Sequence, residues 1–240
     1  MTVQSNGVCE LVKEACGHDK ALLSFSCGKD SWAAWLSARD HFDFTPYYLY
    51  LVPGLEFVED YLVYAEKVLG KRIVRLPHPS FYRLLNNAIF QAPERLRTIY
   101  AADLGNPDYD DLREAVIEDC QLPDNTWVAD GVRAADSPMR RASLMKSRGV
   151  SPGKRYFHPC WDWNKATLIE QLQHANIKLP VDYTIFGRSF DGIDLRFLIK
   201  LREHFPRDYA TVLEWFPLAD MEIARYDFCQ RKKTASAAAA

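Results

Sequence analysis

No run of about 18 consecutive apolar residues, the length a membrane-spanning helix needs, occurs anywhere in this chain of 240 residues. The opening Met1-Thr2-Val3-Gln4-Ser5-Asn6-Gly7 has no charged region followed by an apolar one, so no secretory signal is expected. Charge imbalance is missing as well. The 30 Lys and Arg against 32 Asp and Glu leave a formal net charge of −2, and no global basic field points to nucleic acid or an anionic membrane. The six cysteines, at 9, 16, 27, 120, 160 and 229, never stand side by side or as Cys-x-x-Cys. Zinc and iron–sulfur frameworks therefore lack sequence support, and no protein metal site is expected. Scattered thiols without a secretory signal suggest a reduced, cytoplasmic setting. There is no internal repeat and no clear linker. The spacing G-x-x-x-x-G-K-[ST] of a Walker loop is absent too.

What is present starts with a hydrophobic content of 48%, enough for one good core and a small appendage. The stretch Ser24-Phe25-Ser26-Cys27-Gly28-Lys29-Asp30-Ser31 separates an apolar run, Ala21-Leu22-Leu23, from the helical pattern of 31–41. A small polar loop between strand and helix aims backbone N–H groups and the positive end of the helix dipole at one point, which suits phosphate or another anion. Lys29 adds a positive charge, and Ser26 and Ser31 add hydroxyl donors. The competing reading is a tight turn between core elements, with Asp30 or Ser31 as the helix cap.

Along the chain, 8–18 has helical spacing, and Tyr47-Tyr48-Leu49-Tyr50-Leu51-Val52 reads as a strand covered on both faces. Phe42-Asp43-Phe44-Thr45-Pro46 reads as the connection before it. A helix is expected over 56–69 with Gly70 at its end, a strand over 72–76 and a helix over 81–89. Three strand–helix units in succession argue for a parallel sheet with right-handed crossovers, whose ligands sit beyond the carboxyl ends of the strands. Two helical segments, 93–102 and 110–120, follow in an acidic stretch, 91–125, that reads as a surface insertion or lid with a solvated face.

Trp127-Val128-Ala129-Asp130 returns to strand. From 131 to 155 the chain carries Arg133, Arg140, Arg141, Lys146, Arg148, Lys154 and Arg155 against the single acid Asp136. That imbalance reads as a local anion site or as a solvated basic loop. Tyr156 to Trp163 is a further apolar strand end, and Asn164 is a good cap for a helix over 165–175. Helices over 193–205 and 207–216 follow. Residues 230–240 read as a disordered tail.

Ser26-Cys27-Gly28-Lys29-Asp30-Ser31 resembles the Ser-Gly-Gly-x-Asp-Ser signature of the PP-loop ATP pyrophosphatases. Within them it is most similar to the phosphoadenosine phosphosulfate (PAPS) reductase and sulfate adenylyltransferase branch, where Lys precedes the Asp. Gly131, Arg133, Ser137 and Arg141 match that family's Gly-x-Arg motif with its following Ser and Arg, and Pro159 to Trp163 resembles its Pro-x-x-x-Trp strand. The resemblance covers roughly residues 20 to 192 and is most specific at 26–31.

It implies an α/β fold: an adenine-nucleotide alpha hydrolase-like (HUP-type) parallel sheet flanked by helices, over 1–192. A helical insertion at about 91–125 and a helical extension at 193–229 complete it. It also implies binding of ATP, or PAPS, through Ser24, Ser26, Cys27, Gly28, Lys29, Asp30, Ser31, Gly131, Arg133, Ser137, Arg140 and Arg141. Lys29, Asp30 and Arg133 would take catalytic roles. Mg²⁺ would bridge the phosphates, and adenylate would pass to an unidentified acceptor or partner with release of pyrophosphate.

Three departures stand out. Cys27 replaces the first glycine, which matters if that position needs positive φ. Val52-Pro53-Gly54 stands where the family often has Asp-Thr-Gly. The Glu-Cys-Gly-Leu-His motif of the reductases is absent, and Cys229, in Tyr226-Asp227-Phe228-Cys229-Gln230, does not match it. Adenylate transfer is therefore favoured over a reductase with a non-standard thiol or a degenerate nucleotide-binding regulator. Cys27 itself reads either as a reactive thiol at a helix N-terminus or as a small filler.

Overall fold

The computed structural model describes residues 3–238, with side chains described over 7–232. Six strands form one sheet in the order β3-β2-β1-β4-β6-β5. They are β1 (Lys20–Ser24), β2 (Asp43–Tyr50), β3 (Val74–Pro77), β4 (Trp127–Ala129), β5 (Val150–Ser151) and β6 (Tyr156–Phe157). The sheet is mostly parallel, as the strand–helix alternation predicts: β1 runs parallel to β2 and β4, and β4 to β6, while β5 closes the edge antiparallel to β6. Pairing of Leu22 with Thr45 on one side and Val128 on the other fixes the register. The strand order reverses at β1 and β4, and the crevice outside their carboxyl ends is where such sheets hold ligands.

Helices alternate with these strands and continue beyond them along the chain. α1 (Val3–Cys16), α2 (Lys29–Ala38), α3 (Glu56–Leu69), α4 (Pro79–Asn86), α5 (Pro93–Ala102) and α6 (Tyr109–Asp119) come before β4. α7 (Pro138–Ser147), α8 (Lys165–His174), α9 (Asp182–Ile185), α10 (Leu195–His204), α11 (Pro206–Trp215) and α12 (Ala219–Ala238) follow it. By contacts the chain forms two compact units. One takes in the chain up to Leu49, Tyr61–Leu76 and Tyr109–Pro180; the other takes in Tyr50–Asp60, Pro77–Asp108 and the chain from Val181 on. In the first, Leu22, Tyr47, Val116, Ile117 and Val128 form a buried cluster. In the second, Leu55, Phe57, Phe81, Leu198, Leu201, Val212 and Phe216 belong to another.

Several elements differ from the pattern in the sequence. β2 begins at Asp43 and runs through Pro46, which pairs with Leu23. Residues 43–46 are therefore strand rather than connection, since a parallel ladder can lose one N–H and keep its neighbours' bonds. α2 starts at Lys29 and is capped by Gly28, so Asp30 and Ser31 lie inside its first turn instead of capping it. The acidic stretch 91–125 is divided. α5 belongs to the second unit, whereas Leu112, Val116 and Ile117 turn one face of α6 into the first. α7 lies in the basic segment where no helix is expected by periodicity, because Leu144 alone of its residues is buried. α12 carries helix through 230–238, and its Ala-rich end has high intrinsic helix propensity.

Candidate functional site

The loop after β1 is held from below by aromatic packing. Phe25 and Trp32 are fully buried and meet edge to face with ring centroids 4.9 Å apart. Trp32 Nε1–H donates to the Tyr61 hydroxyl at 2.8 Å, and that hydroxyl donates to the Lys178 carbonyl at 2.6 Å. Burying two such rings stabilises the loop's root by about 2–3 kcal/mol each. The polar residues between them are thereby placed on a rigid base.

Each residue of the motif takes a distinct position on that base. Ser24 ends β1, and its side chain hydrogen-bonds the buried Tyr47 hydroxyl, which also meets Tyr156. Ser26 is exposed and Gly28 is buried. Gly28 brings no capping side chain, so the first turn of α2 has no side-chain cap at its N–H groups. Ser31 is buried, and its hydroxyl donates to the Gly28 carbonyl at 2.8 Å, closing the turn. Lys29 Nζ lies 2.9 Å from Asp30 Oδ2, and both side chains remain about one-third exposed.

Cys27 has φ of 62°, so this position does adopt the left-handed conformation that glycine takes at no steric cost. It is also 7% exposed, which suits a filler better than a nucleophile. Cys27→Gly relieves about 1 kcal/mol of left-handed strain, and the glycine's greater unfolded-state freedom offsets about 0.4–1 kcal/mol of that. The expected outcome is near-neutral stability in urea titration with nucleotide affinity unchanged. Lost turnover in a correctly folded variant would restore the thiol as a reactant.

The second half of the site follows β4, with Asp130 N–H donating to the Phe157 carbonyl at 3.1 Å to extend the ladder. Gly131 packs directly on the α2 start. A Cβ there would lie 2.2 Å from the Asp30 carbonyl oxygen and 2.3 Å from its carbon. No side chain fits between these two backbones, so this glycine serves close approach rather than an unusual φ.

Arg133 is 5% exposed and braces three segments. Its Nη2 is 2.9 Å from Asp30 Oδ1 and 2.9 Å from Asp136 Oδ1, and Nη1 donates to the Trp163 carbonyl at 3.4 Å. Its backbone N–H donates to Asp136 Oδ2 at 3.0 Å. The contact with Asp30 is ionic without good hydrogen-bond direction: Asp30 Oδ1 and Arg133 Nε are both buried without a hydrogen bond. Such unsatisfied buried atoms are rare and mark sites that hold strain or a function.

Ser137 caps α7 by accepting from Arg140 N–H at 3.2 Å. Arg140 Nη1 pairs with Asp136 Oδ2 at 3.0 Å, and Arg141 Nε reaches the Ala134 carbonyl at 3.5 Å. Asp136 thus gathers Arg133 and Arg140. Its two oxygens neutralise much of the local charge that the sequence assigns to an anion site.

One pair escapes the sequence pattern. His158 Nδ1 lies 2.5 Å from Asp130 Oδ1, which also accepts from Val132 N–H at 2.9 Å. A carboxylate at Nδ1 fixes the orientation of the ring. The only trace in the sequence is a polar residue after Tyr156-Phe157, at the carboxyl end of an expected strand. Behind the site Cys160 is fully buried, and burial pushes its thiol well above the usual range.

No protein-family model matches this sequence, and no curated protein matches it. Similar solved structures include an NH3-dependent NAD synthetase from Campylobacter jejuni in complex with nitrate. It is 14% identical, with a TM-score of 0.43 over 94% of this chain and 94% of that one. A U34-tRNA thiolase, NcsA, from Methanococcus maripaludis with its [4Fe-4S] cluster is 12% identical. Its TM-score is 0.42 over 90% of this chain and 79% of that one. Likenesses this distant carry no residue or activity over to this chain.

Proposed function

We propose that this chain is a PP-loop enzyme of the PAPS reductase-like group that binds ATP and transfers adenylate to an acceptor with release of pyrophosphate. One observation carries the reading. The loop after β1 and the Gly131–Arg133 turn after β4 lie backbone against backbone at the sheet's switch point, joined by the Asp30–Arg133 pair. A helix start without a side-chain cap and a lysine converge there, and that combination favours phosphate.

In this reading the first-turn N–H groups of α2 and Lys29 take the charge that develops on the departing pyrophosphate. Asp30 orients Lys29, and Arg133 orients Asp30. Arg140 and Arg141 line the approach for a second anionic group. His158, held by Asp130, accepts the proton that the attacking acceptor loses.

Mg²⁺ fits as the nucleotide's own counter-ion rather than as a resident of the protein. Among the described residues no group of three or more His, Cys, Asp or Glu could hold a metal, and Asp30 already faces Lys29 and Arg133. A Mg²⁺ bound through substrate phosphates needs only one or two carboxylates, and when bound it neutralises phosphate charge.

Isothermal titration with ATP·Mg²⁺ tests the reading. Lys29→Ala should weaken binding about tenfold or more, the worth of one charge-assisted contact to phosphate. Equal affinity for the variant and the parent would remove the site. Binding without pyrophosphate release toward any acceptor would leave a nucleotide-binding module and reject the transferase.

A further inference from the structure

The second unit contains a cavity of about 610 Å³ at residues after β2 and β3, whose walls are mainly apolar. Leu51, Leu84, Ile89, Phe90 and Ile193 supply its hydrocarbon surface. Ser80, Arg83 and Asn87, on α4 and its C-terminal end, supply neutral and cationic donors, and Asp191 and Asp194, just before α10, supply carboxylates.

The charges there do not cancel. Asp191 is paired with Arg188. Asp194 caps α10 by accepting from Arg196 N–H, and it holds the Arg196 guanidinium through contacts of 2.7 and 3.0 Å. Both carboxylates are thus neutralised by arginines of their own segment. Arg83, by contrast, donates to the Ser80 hydroxyl at 2.8 Å and has no carboxylate partner among the described residues. A cation beside an apolar wall, with its only side-chain bond to a neutral oxygen, attracts an anion.

The wall itself is held under strain. Ala88 and Phe90 have φ of 53° and 54°, a conformation that is costly for residues other than glycine and persists only where the surroundings over-determine it. Here they do. Ala88 and Ile89 N–H groups donate to the Leu85 and Leu84 carbonyls, the Phe90 carbonyl accepts from Leu218 N–H at 2.9 Å, and Gln91 Nε2 donates to the Trp215 carbonyl at 2.8 Å. This pinned turn keeps Ile89, an exposed large hydrophobic residue, and Phe90 in the cavity wall.

We infer that this cavity binds an amphipathic monocarboxylate, its aromatic or aliphatic body against Leu51, Leu84, Ile89, Phe90 and Ile193 and its carboxylate on the Arg83 guanidinium. A single uncompensated arginine matches one negative charge. A dianionic phosphate would bring surplus charge toward Asp191 and Asp194. The inference does not depend on the nucleotide reading, and its test runs without nucleotide.

Naphthylacetate and its neutral analogue naphthylacetamide serve as probes, with binding followed by amide NMR shifts. Naphthylacetate should move the resonances of Leu84, Ile89 and Phe90 and bind more tightly than the amide. Arg83→Ala should weaken the acid about tenfold and leave the amide unchanged, while Arg83→Lys, which keeps the charge, should fall between. Arg83 is exposed, so these variants should fold, and parent-like amide spectra would verify it. Equal binding of acid and amide, undiminished acid affinity in Arg83→Ala, or shifts confined to other surfaces would each overturn the assignment.

Discussion

Gly131→Ala is expected to lower stability by about 3 kcal/mol, at the upper end of what overpacking costs, and to abolish detectable nucleotide binding. The added Cβ would lie 2.2 Å from the Asp30 carbonyl oxygen, a backbone atom that no rotamer change can move aside. Relief requires parting the β4 turn from the start of α2. That parting also breaks the contact between Arg133 Nη2 and Asp30 Oδ1 and displaces the turn that carries Lys29. Gly153→Ala is the control. A Cβ at that position meets nothing within 4 Å, so its stability should match or slightly exceed the parent's. Urea midpoints and ATP titration on both variants read the two effects separately. A Gly131→Ala protein as stable and as tightly binding as the parent would mean that the two segments are not in contact.

Removing Arg133 should have the second large effect. The guanidinium is the common partner of Asp30 and Asp136 and also reaches the Trp163 carbonyl. Arg133→Ala removes the cation the two carboxylates share and leaves Asp30 to Lys29 and Asp136 to Arg140. Breaking a fully buried pair costs about 3–5 kcal/mol. Asp30 and Asp136 keep 34% and 20% side-chain exposure, so water recovers part of that, and a loss of about 2 kcal/mol is expected.

Arg133→Lys should recover little, because one ammonium cannot reproduce a planar guanidinium whose Nη2 meets both acids while its Nη1 reaches the Trp163 carbonyl. A double-mutant cycle of Arg133→Ala with Asp136→Ala, read by urea unfolding, isolates the pair. Additive losses would show that the brace contributes nothing. If the proposed phosphate site is right, nucleotide affinity should fall along with stability, since Arg133 contacts Asp30 beside Lys29.

Much of this was legible from local chemistry. Pro93 at a first helical position and Asn164, which accepts from Thr167 N–H at 2.9 Å, mark helix starts through interactions within one turn. The expected helix over 93–102 coincides with α5, and that over 165–175 with α8 to within one residue, for that reason. α7 escaped because the usual signal is apolar periodicity, and one buried residue makes no period. Its start was still marked by Ser137 and Pro138, a capping serine and a first-turn proline. Pro46 misled in the opposite direction, as a breaker that the sheet tolerates.

The candidate site divides in the same way. The residues of 24–31 and 131–141 are recognisable from their order, because strand, polar loop and helix are successive in the chain and their chemistry is local. Their identities also determine what the site can offer an anion: one lysine, arginines and hydroxyls. The tertiary structure decided how those groups are used. It set Gly131 against the Asp30 backbone, turned Arg133 inward to two carboxylates, placed a non-glycine residue at positive φ and joined His158 to Asp130. Partners so far apart in the chain meet only when the sheet sets β1, β4 and β6 side by side. Local propensity acts over a few residues, whereas these contacts depend on which strands are neighbours and in what register they pair.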